Sequence, residues 1–252
     1  MSFDVAGEAY DRFMGRYSQP LACLFVDFAA PGSAGPVLDV GCGTGALTAE
    51  LVHRLGADEV RAVDPSPSFV GVMGERFPAV EVVEANAAAL PFESGTFAAA
   101  LSQLVVHFMD DPVAGISEMA RVTRSGGVVG ACVWDHAEGG GPLEAFWQAT
   151  RALDPGATTE DLLPGTRHGD LTEIFRQAGL AQIEERALTV RVSHPTFDEW
   201  WQPFTLGVGP AGAHVAALGG EAADALRREC LERLGGGPFD VDARVWAARA
   251  TS

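Results

Sequence analysis

An α/β fold built on a doubly wound, seven-stranded, Rossmann-like sheet is predicted by three observations. Short apolar runs alternate with segments of helical spacing along residues 36–134. The first run leads straight into a glycine loop, VLDVGCGTGALT (37–48). The last two runs, 183–192 and 240–250, are separated by a mostly helical stretch rather than by one crossover helix. Strands joined through helices pair in parallel with right-handed crossovers, which covers a sheet on both faces. The two late runs are expected as an antiparallel pair around a helical cap.

The elements follow in order. Residues 4–30 carry helical spacing, with a break expected at Ser18-Gln19-Pro20, because proline suits a first helical turn. PVLDV (36–40) is bounded by Pro36 and Gly41 and reads as a buried strand. ALTAELVHRLG (46–56) has helical spacing and a terminal glycine; strand 59–64, helix 67–77 and strand 80–85 repeat the unit. FAAALSQLV (97–105) is a fourth strand, and Asp110-Asp111-Pro112 opens a helix over 111–123 as cap and first turn. A turn at Arg124-Ser125-Gly126-Gly127 precedes a fifth strand, 128–134. Residues 136–146 read as a flexible connection, 170–180 as an amphipathic helix and 195–236 as the helical insert. One domain is expected over 1–252, with a ligand-binding core at 36–134 and caps from 1–35 and 195–236.

Composition narrows the function. Seventeen basic against 34 acidic residues give a net charge of −17 with no local basic patch, so nucleic acid is not an expected partner. The longest apolar stretch, 97–109, is too short for a membrane span of ~20 residues. The N-terminus lacks the basic-then-apolar order of a secretory signal, and Cys23, Cys42, Cys132 and Cys230 are scattered, without metal-ligand spacing. A cytoplasmic protein with reduced thiols and no metal is expected; the sequence is silent on oligomeric state.

In an open α/β sheet ligands bind where the strand order reverses, and the loop after the first strand lies there. Gly41, Gly43 and Gly45 allow a sharp turn and close approach to main-chain atoms. G-C-G-T-G-A also satisfies the dinucleotide pattern G-x-G-x-x-A, and Asp64, 19 residues past Gly45, is placed for a ribose hydroxyl in either case. The loop alone does not choose between a pyrophosphate and another ligand.

VLDVGCGTG, the acid in AVDPS (62–66), Asn86-Ala87, LPF (90–92) and MARVTRSGGVV (119–129) together resemble the class I S-adenosylmethionine-dependent methyltransferases, in that family's order and spacing. The nicotinamide alternative accounts for only the first two of these landmarks. The resemblance implies S-adenosyl-L-methionine as cofactor, S-adenosyl-L-homocysteine as product and a small-molecule acceptor. It implies that Gly41, Cys42, Gly43 and Gly45 pack on the methionyl and ribose parts, with Asp39 holding the loop and the amine. Asp64, beside Pro65, would accept from both ribose hydroxyls in charge-assisted bonds. Asn86 and the Ala87 N–H would contact the adenine, and Gln103 the methionine amine.

AYDRFMGRYS (9–18) is similar to the leading segment of a small-molecule branch of the family, which implies Arg16 on the donor's carboxylate and Tyr10 as a ring over the pocket. Methyl transfer from a sulfonium is an in-line displacement that positioning can accelerate. His107, just past the fourth strand, is placed either as general base toward a hydroxyl acceptor or as a hydrogen-bonded structural group. Trp134 ends the fifth strand at an edge position facing an acceptor, and Trp200, Trp201 and Phe204 in the insert either cap an apolar acceptor pocket or simply pack. A donor-binding module without turnover stays open beside the enzyme.

Overall fold

The computed structural model describes residues 10–32 and 35–252. The start of the helix expected at residue 4 lies outside the described residues. One π-helical turn, Asp11–Gly15, runs into α1, Arg16–Ala29. The break expected at Ser18-Gln19-Pro20 does not occur: Pro20 sits one turn into α1, where its missing N–H forfeits only the bond to the Arg16 carbonyl. What holds α1 straight is its apolar stripe, Tyr17, Leu21, Phe25 and Phe28, all buried.

Seven strands form one sheet: β1 Val37–Val40, β2 Val60–Asp64, β3 Glu81–Glu84, β4 Phe97–Gln103, β5 Thr123–Trp134, β6 Ala181–His194 and β7 Phe239–Thr251. Their order is β3-β2-β1-β4-β5-β7-β6. The first five pair in parallel, and β7 runs antiparallel to both β5 and β6, as the sequence predicts. β1 has β2 on one side and β4 on the other, so the strand order reverses there. The crossovers use α2 Ala46–Leu55, α3 Pro67–Arg76 and α4 Pro112–Val122; α5 Glu144–Leu153 and α6 Asp170–Gln177 follow β5. Asp111 caps α4 as expected, accepting from the Ala114 N–H. The insert holds α7 Phe197–Trp201, α8 Gly209–Ala217 and α9 Gly220–Leu234.

Side chains alternate across the sheet into two cores. Leu38, Val40, Ala100, Val129 and Val133 meet Ile116 and Met119 of α4 and Leu171 and Phe175 of α6. Val37, Ala99, Leu101 and Cys132 meet α1, α2 and the insert on the other face. Each fully buried Leu or Phe contributes roughly 1.5–3 kcal/mol, so β1 and β4, buried along their whole length, are the best-anchored strands. No helix among the described residues is long and apolar enough to cross a membrane.

Three further local expectations are corrected. The turn at 124–127 is absorbed into β5 as a bulge: Phe97 pairs with Thr123 but Ala99 with Val128. Residues 136–146 are tied down rather than loose, through Ala137 N–H to the Thr166 carbonyl and Arg244 N–H to the Gly140 carbonyl. Helix α5, which was not predicted, begins inside that segment at Glu144. The connection is fixed by Asp135, 0% exposed, whose carboxylate accepts from the Arg244 guanidinium (Nη2–Oδ2 2.5 Å) and from the Glu138 N–H. Removing one partner of a buried pair leaves an uncompensated charge, a loss of about 3–5 kcal/mol. Arg244→Met is therefore expected to lower the unfolding free energy measured in urea by about 3 kcal/mol, near the lower end of that range, since Arg244 is itself partly solvated; an unchanged free energy would refute the anchoring role.

Candidate functional site: a cavity at the strand-order reversal

A cavity of about 640 Å³ opens beyond the carboxyl ends of β1, β2 and β4, within the range of small-molecule sites. Its floor is the glycine loop. Gly41 and Cys42 both donate their N–H groups to the Val63 carbonyl (2.8 and 3.0 Å), which straps the loop to β2. All three glycines have positive φ: 77°, 53° and 92° at Gly41, Gly43 and Gly45.

Their roles differ. A Cβ on Gly41 would lie 2.5 Å from Val105 Cγ2, and one on Gly45 2.6 Å from both Met73 Sδ and Phe77 Cε2. Those two positions are demanded by packing of the loop against the end of β4 and against α3. Around Gly43 a Cβ would meet nothing within 4 Å, so it is the loop position open to a ligand.

Two acids stand beside this loop. Asp64 is 6% exposed; its Oδ2 accepts from the Gly43 N–H and its Oδ1 from the Ser66 N–H, both at 2.9 Å. Burial raises its pKa, and the two N–H bonds oppose that rise. Asp39, 1% exposed, accepts from the Thr48 hydroxyl at 2.6 Å, and burial pushes its pKa up to about 7 against that hydrogen bond.

The π-turn before α1 is clipped onto the same loop. Asp11 accepts from the Thr44 hydroxyl and pairs with Arg76 (2.6 Å), which donates in turn to the Thr44 carbonyl. This brings Tyr10 into the cavity wall, edge-on to Phe69 with ring centroids 5.7 Å apart. Asn86 closes the far end of the cavity in an Asx turn, its Oδ1 accepting from the Ala88 N–H.

Of the residues singled out from the sequence, the cavity wall gathers Tyr10, Asp39, Gly41, Cys42, Gly43, Asp64, Pro65, Asn86, Ala87, Gln103 and His107. Gln103 Nε2 donates to the Ser18 carbonyl, while its buried Oε1 has no hydrogen-bond partner among the described residues. Gly45 lies behind the wall. Arg16 is not in the wall either: its guanidinium contacts His194 Nδ1 at 2.9 Å, and Tyr17 holds the other ring nitrogen. Trp134 packs edge-on to Tyr17 at 6.3 Å. Trp200, Trp201 and Phe204 are stacked among themselves and on Phe146, whose ring lies 4.6 Å from Phe204 at 4°. They build the core of the insert rather than the cavity lining.

The cavity wall also includes residues that the sequence did not flag, Thr44 in the loop and Leu163 and Pro164 after α5, while Asp11 and Arg76 brace Thr44 from behind the wall. These meet across separations such as the 33 residues from Asp11 to Thr44, for which no local pattern exists. No group of three or more His, Cys, Asp or Glu side chains able to hold a metal ion occurs among the described residues.

Residues 38–131 match the family described as a methyltransferase domain. The strand order above agrees with this match, and together they support a class I S-adenosylmethionine-dependent methyltransferase. An uncharacterized methyltransferase of Mycobacterium tuberculosis is 39% identical over 135 residues, 54% of this chain and 52% of that protein. The 2-methyl-6-phytyl-1,4-hydroquinone methyltransferase 2 of Oryza sativa is 37% identical over 151 residues, 59% of this chain and 39% of that one. The chain thus spans about half the length, or less, of these curated relatives. Among solved structures, phosphoethanolamine N-methyltransferase 2 of Haemonchus contortus, with phosphomonomethylethanolamine and S-adenosylhomocysteine, superposes with a TM-score of 0.61 at 17% identity, over 98% of this chain and 56% of that one. At that identity the likeness is one of fold.

The packing around the loop separates its glycines by experiment. Gly45→Ala combines a positive φ with two sub-3 Å contacts and is expected to cost about 3 kcal/mol or more in chemical denaturation. Gly43→Ala meets open space and should cost only about 1 kcal/mol. Equal losses at both sites would show that backbone strain alone, and not packing, fixes the motif.

Proposed function

We propose that the chain binds S-adenosyl-L-methionine across this cavity and transfers its methyl group to a small organic acceptor, leaving S-adenosyl-L-homocysteine. The observation that carries the proposal is the charge of the wall. Among the described residues, its ionisable side chains include the carboxyls of Asp39, Asp64 and Asp110 and no lysine or arginine. A pyrophosphate beside the loop would face two acids without a cation, which the helix N-terminus of α2 offsets only in part. A cationic sulfonium with an ammonium tail is favoured by the same wall. When bound, that donor supplies an electrophilic methyl group and loses its charge on transfer.

The residues present fit such a molecule. Each Asp64 oxygen is fixed by one backbone N–H and keeps further lone-pair capacity for a ribose hydroxyl. Gly43 offers the open backbone edge, and the unpartnered Gln103 Oε1 offers an acceptor to an amine. Asn86 Oδ1 keeps a second lone pair for an adenine amine after serving Ala88. We assign the methionyl tail to the main chain of 41–43 and to Gln103 rather than to Arg16, whose guanidinium is engaged by His194. Tyr10, held by the Asp11 clip, covers the donor side. Leu104, Val105, Leu163 and Pro164 leave an apolar opening for the acceptor beside His107. No observation favours the nicotinamide or the non-catalytic alternative.

Asp64→Asn is expected to weaken S-adenosyl-L-homocysteine binding by about 30-fold, or about 2 kcal/mol, through loss of charge-assisted bonds to the sugar. Isothermal calorimetry measures this, and full affinity in the variant would refute the ribose assignment.

Asp39 gives a second test with two opposite signs. Its folded pKa, about 7, lies above that of an unfolded aspartate, ~3.9. Its contribution to stability is thus present below that lower value and lost as pH rises through about 7. Asp39→Asn should melt higher than the native chain at pH 8 but not at pH 4, while binding the cationic donor more weakly at pH 8. Weaker binding without the gain in stability would contradict the cost of burying that charge.

A further inference from the structure

We infer that the acceptor is an uncharged hydroxyl compound, and that its proton is taken by His107 backed by a buried chain of His136 and Glu160 behind the cavity wall. The inference rests on the methyl-transfer proposal and adds to it the class of acceptor and two positioning residues.

The three side chains come from separate elements. His107 lies in the turn Val106–Phe108 after β4, His136 follows β5, and Glu160 opens the loop whose Leu163 and Pro164 line the cavity. They are 4%, 6% and 4% exposed. The His107 and His136 rings stand 6.2 Å apart, centroid to centroid, at 66°. His136 Nε2 is 4.0 Å from Glu160 Oε1, and Glu160 Oε2 accepts from the indole N–H of Trp147 at 2.9 Å. The gap between His136 and Glu160 is within reach of one bridging water or a small ring rotation, and the two imidazole rings are neighbours. His107 lines the cavity, yet its Nδ1 is buried with no hydrogen-bond partner among the described residues. A buried polar atom in that state costs free energy, and its presence calls for a role.

The surrounding charges leave the chain uncompensated. The titratable groups facing His136 are Asp135, Asp161, Glu160 and His107. Asp135 is spent on Arg244, and Asp161 accepts from the Thr159 hydroxyl. Burial, with a smaller contribution from His136, holds His107 well below the usual imidazole range, so it stands as a neutral base. Burial lowers His136 to about 4 and raises Glu160 to about 7. Just above neutrality the chain therefore holds two neutral rings and one buried carboxylate without a cation.

That arrangement answers a need that hydroxyl acceptors have and amines lack. An amine attacks with its lone pair and sheds its proton afterwards, whereas a neutral hydroxyl must lose its proton as it reacts. The acceptor oxygen bonds to the donor's methyl carbon while the carbon–sulfur bond breaks, leaving its electron pair on sulfur. The O–H proton goes to the His107 ring, and the resulting imidazolium is stabilised through His136 by the Glu160 carboxylate before the proton leaves to solvent. An anionic acceptor is disfavoured because Asp39, Asp64 and Asp110 face the same space and no lysine or arginine among the described residues lines it.

The test has three parts, made on the full chain and on Glu160→Gln, which preserves an acceptor for Trp147. Calorimetry with S-adenosyl-L-homocysteine comes first: equal affinity in both proteins is expected, and no binding to the native chain would overturn the methyl-transfer proposal and this inference with it. Long-range 15N–1H spectra of histidine-labelled protein with the same ligand follow the rings from pH 5.5 to 9. An inflection at His136 near pH 7 that vanishes in Glu160→Gln supports the chain, and identical titrations in the two proteins overturn it. Last, phenols and aliphatic alcohols are compared with the matching anilines and amines as acceptors, reading S-adenosyl-L-homocysteine release. Hydroxyl compounds should be preferred, with rates falling about tenfold in Glu160→Gln and about a hundredfold in His107→Asn. Donor binding with transfer to amines alone would sink the inference and leave the broader proposal standing. If no compound in the panel is methylated, the spectra decide.

Discussion

Two backbone N–H groups, from Gly43 and Ser66, converge on the carboxylate of Asp64, and the geometry of the site depends on that convergence. Asp64 ends β2; Gly43 belongs to the loop after β1. Joining them fixes the separation between the two strand ends at the point where the sheet reverses order. The glycine loop is thereby held open toward the cavity at one position while Gly41 and Gly45 are packed shut behind it. Without the acid the loop would keep its positive φ values but lose the bond that turns the Gly43 edge toward the ligand space. Desolvation makes the carboxylate costly, and the two N–H bonds offset part of that cost.

The clip formed by Asp11, Thr44 and Arg76 extends the same logic to the N-terminal turn. Arg76 and Asp11 are partly solvated, at 37% and 24% side-chain exposure, so their pairing contributes at most about 1 kcal/mol. Its effect is geometric. By tying the turn before α1 to the loop and to the end of α3, it sets Tyr10 in the cavity wall against Phe69. The same turn leads into a helix whose Ser18 carbonyl receives Gln103 Nε2, so α1 is referenced to the ends of both β1 and β4.

What could be read from the sequence was what local chemistry dictates. Apolar runs closed by Pro or Gly specified five parallel strands, Asp111-Pro112 specified a helix start, and the glycine loop with Asp64 specified where a ligand belongs. The misreadings share one cause: a tertiary partner outweighed a local preference. Pro20 is carried within α1 by the packing of Leu21 and Phe25. Gly126 and Gly127 look like a turn, yet in the bulge a Cβ on Gly127 would sit 2.6 Å from the Ala98 carbonyl. Arg16 looks like a carboxylate ligand, but His194, 178 residues away, reaches it first. Trp200, Trp201 and Phe204, which the sequence left between pocket lining and packing, pack as a core, because Phe13 and Phe146 arrive from other elements to pack against Phe204. His136 and Glu160 carried no signal, since each is ordinary until the fold buries both.

The acids at the loop also constrain where catalysis can come from. A carboxylate beside a cationic donor stabilises the bound ground state, and as the positive charge disperses toward transfer that attraction weakens. Strong anionic binding at the sulfur would therefore raise affinity at the expense of rate. Burial tempers the effect in the proposed complex: it pushes the Asp39 carboxyl up to about 7, which would spare the donor part of that charge at neutral pH. Asp64 spends both oxygens on backbone N–H groups, directing its remaining capacity to hydrogen bonds rather than to bare charge. In the proposed reaction the product, with its sulfur neutral, would lose part of the attraction that favoured entry, and the wall would then favour exchange for fresh donor. In the proposed reaction, rate enhancement would rest on alignment in a largely apolar opening and on removal of the acceptor proton, the part of the cavity lined by Leu163, Pro164 and His107 rather than by the parallel core.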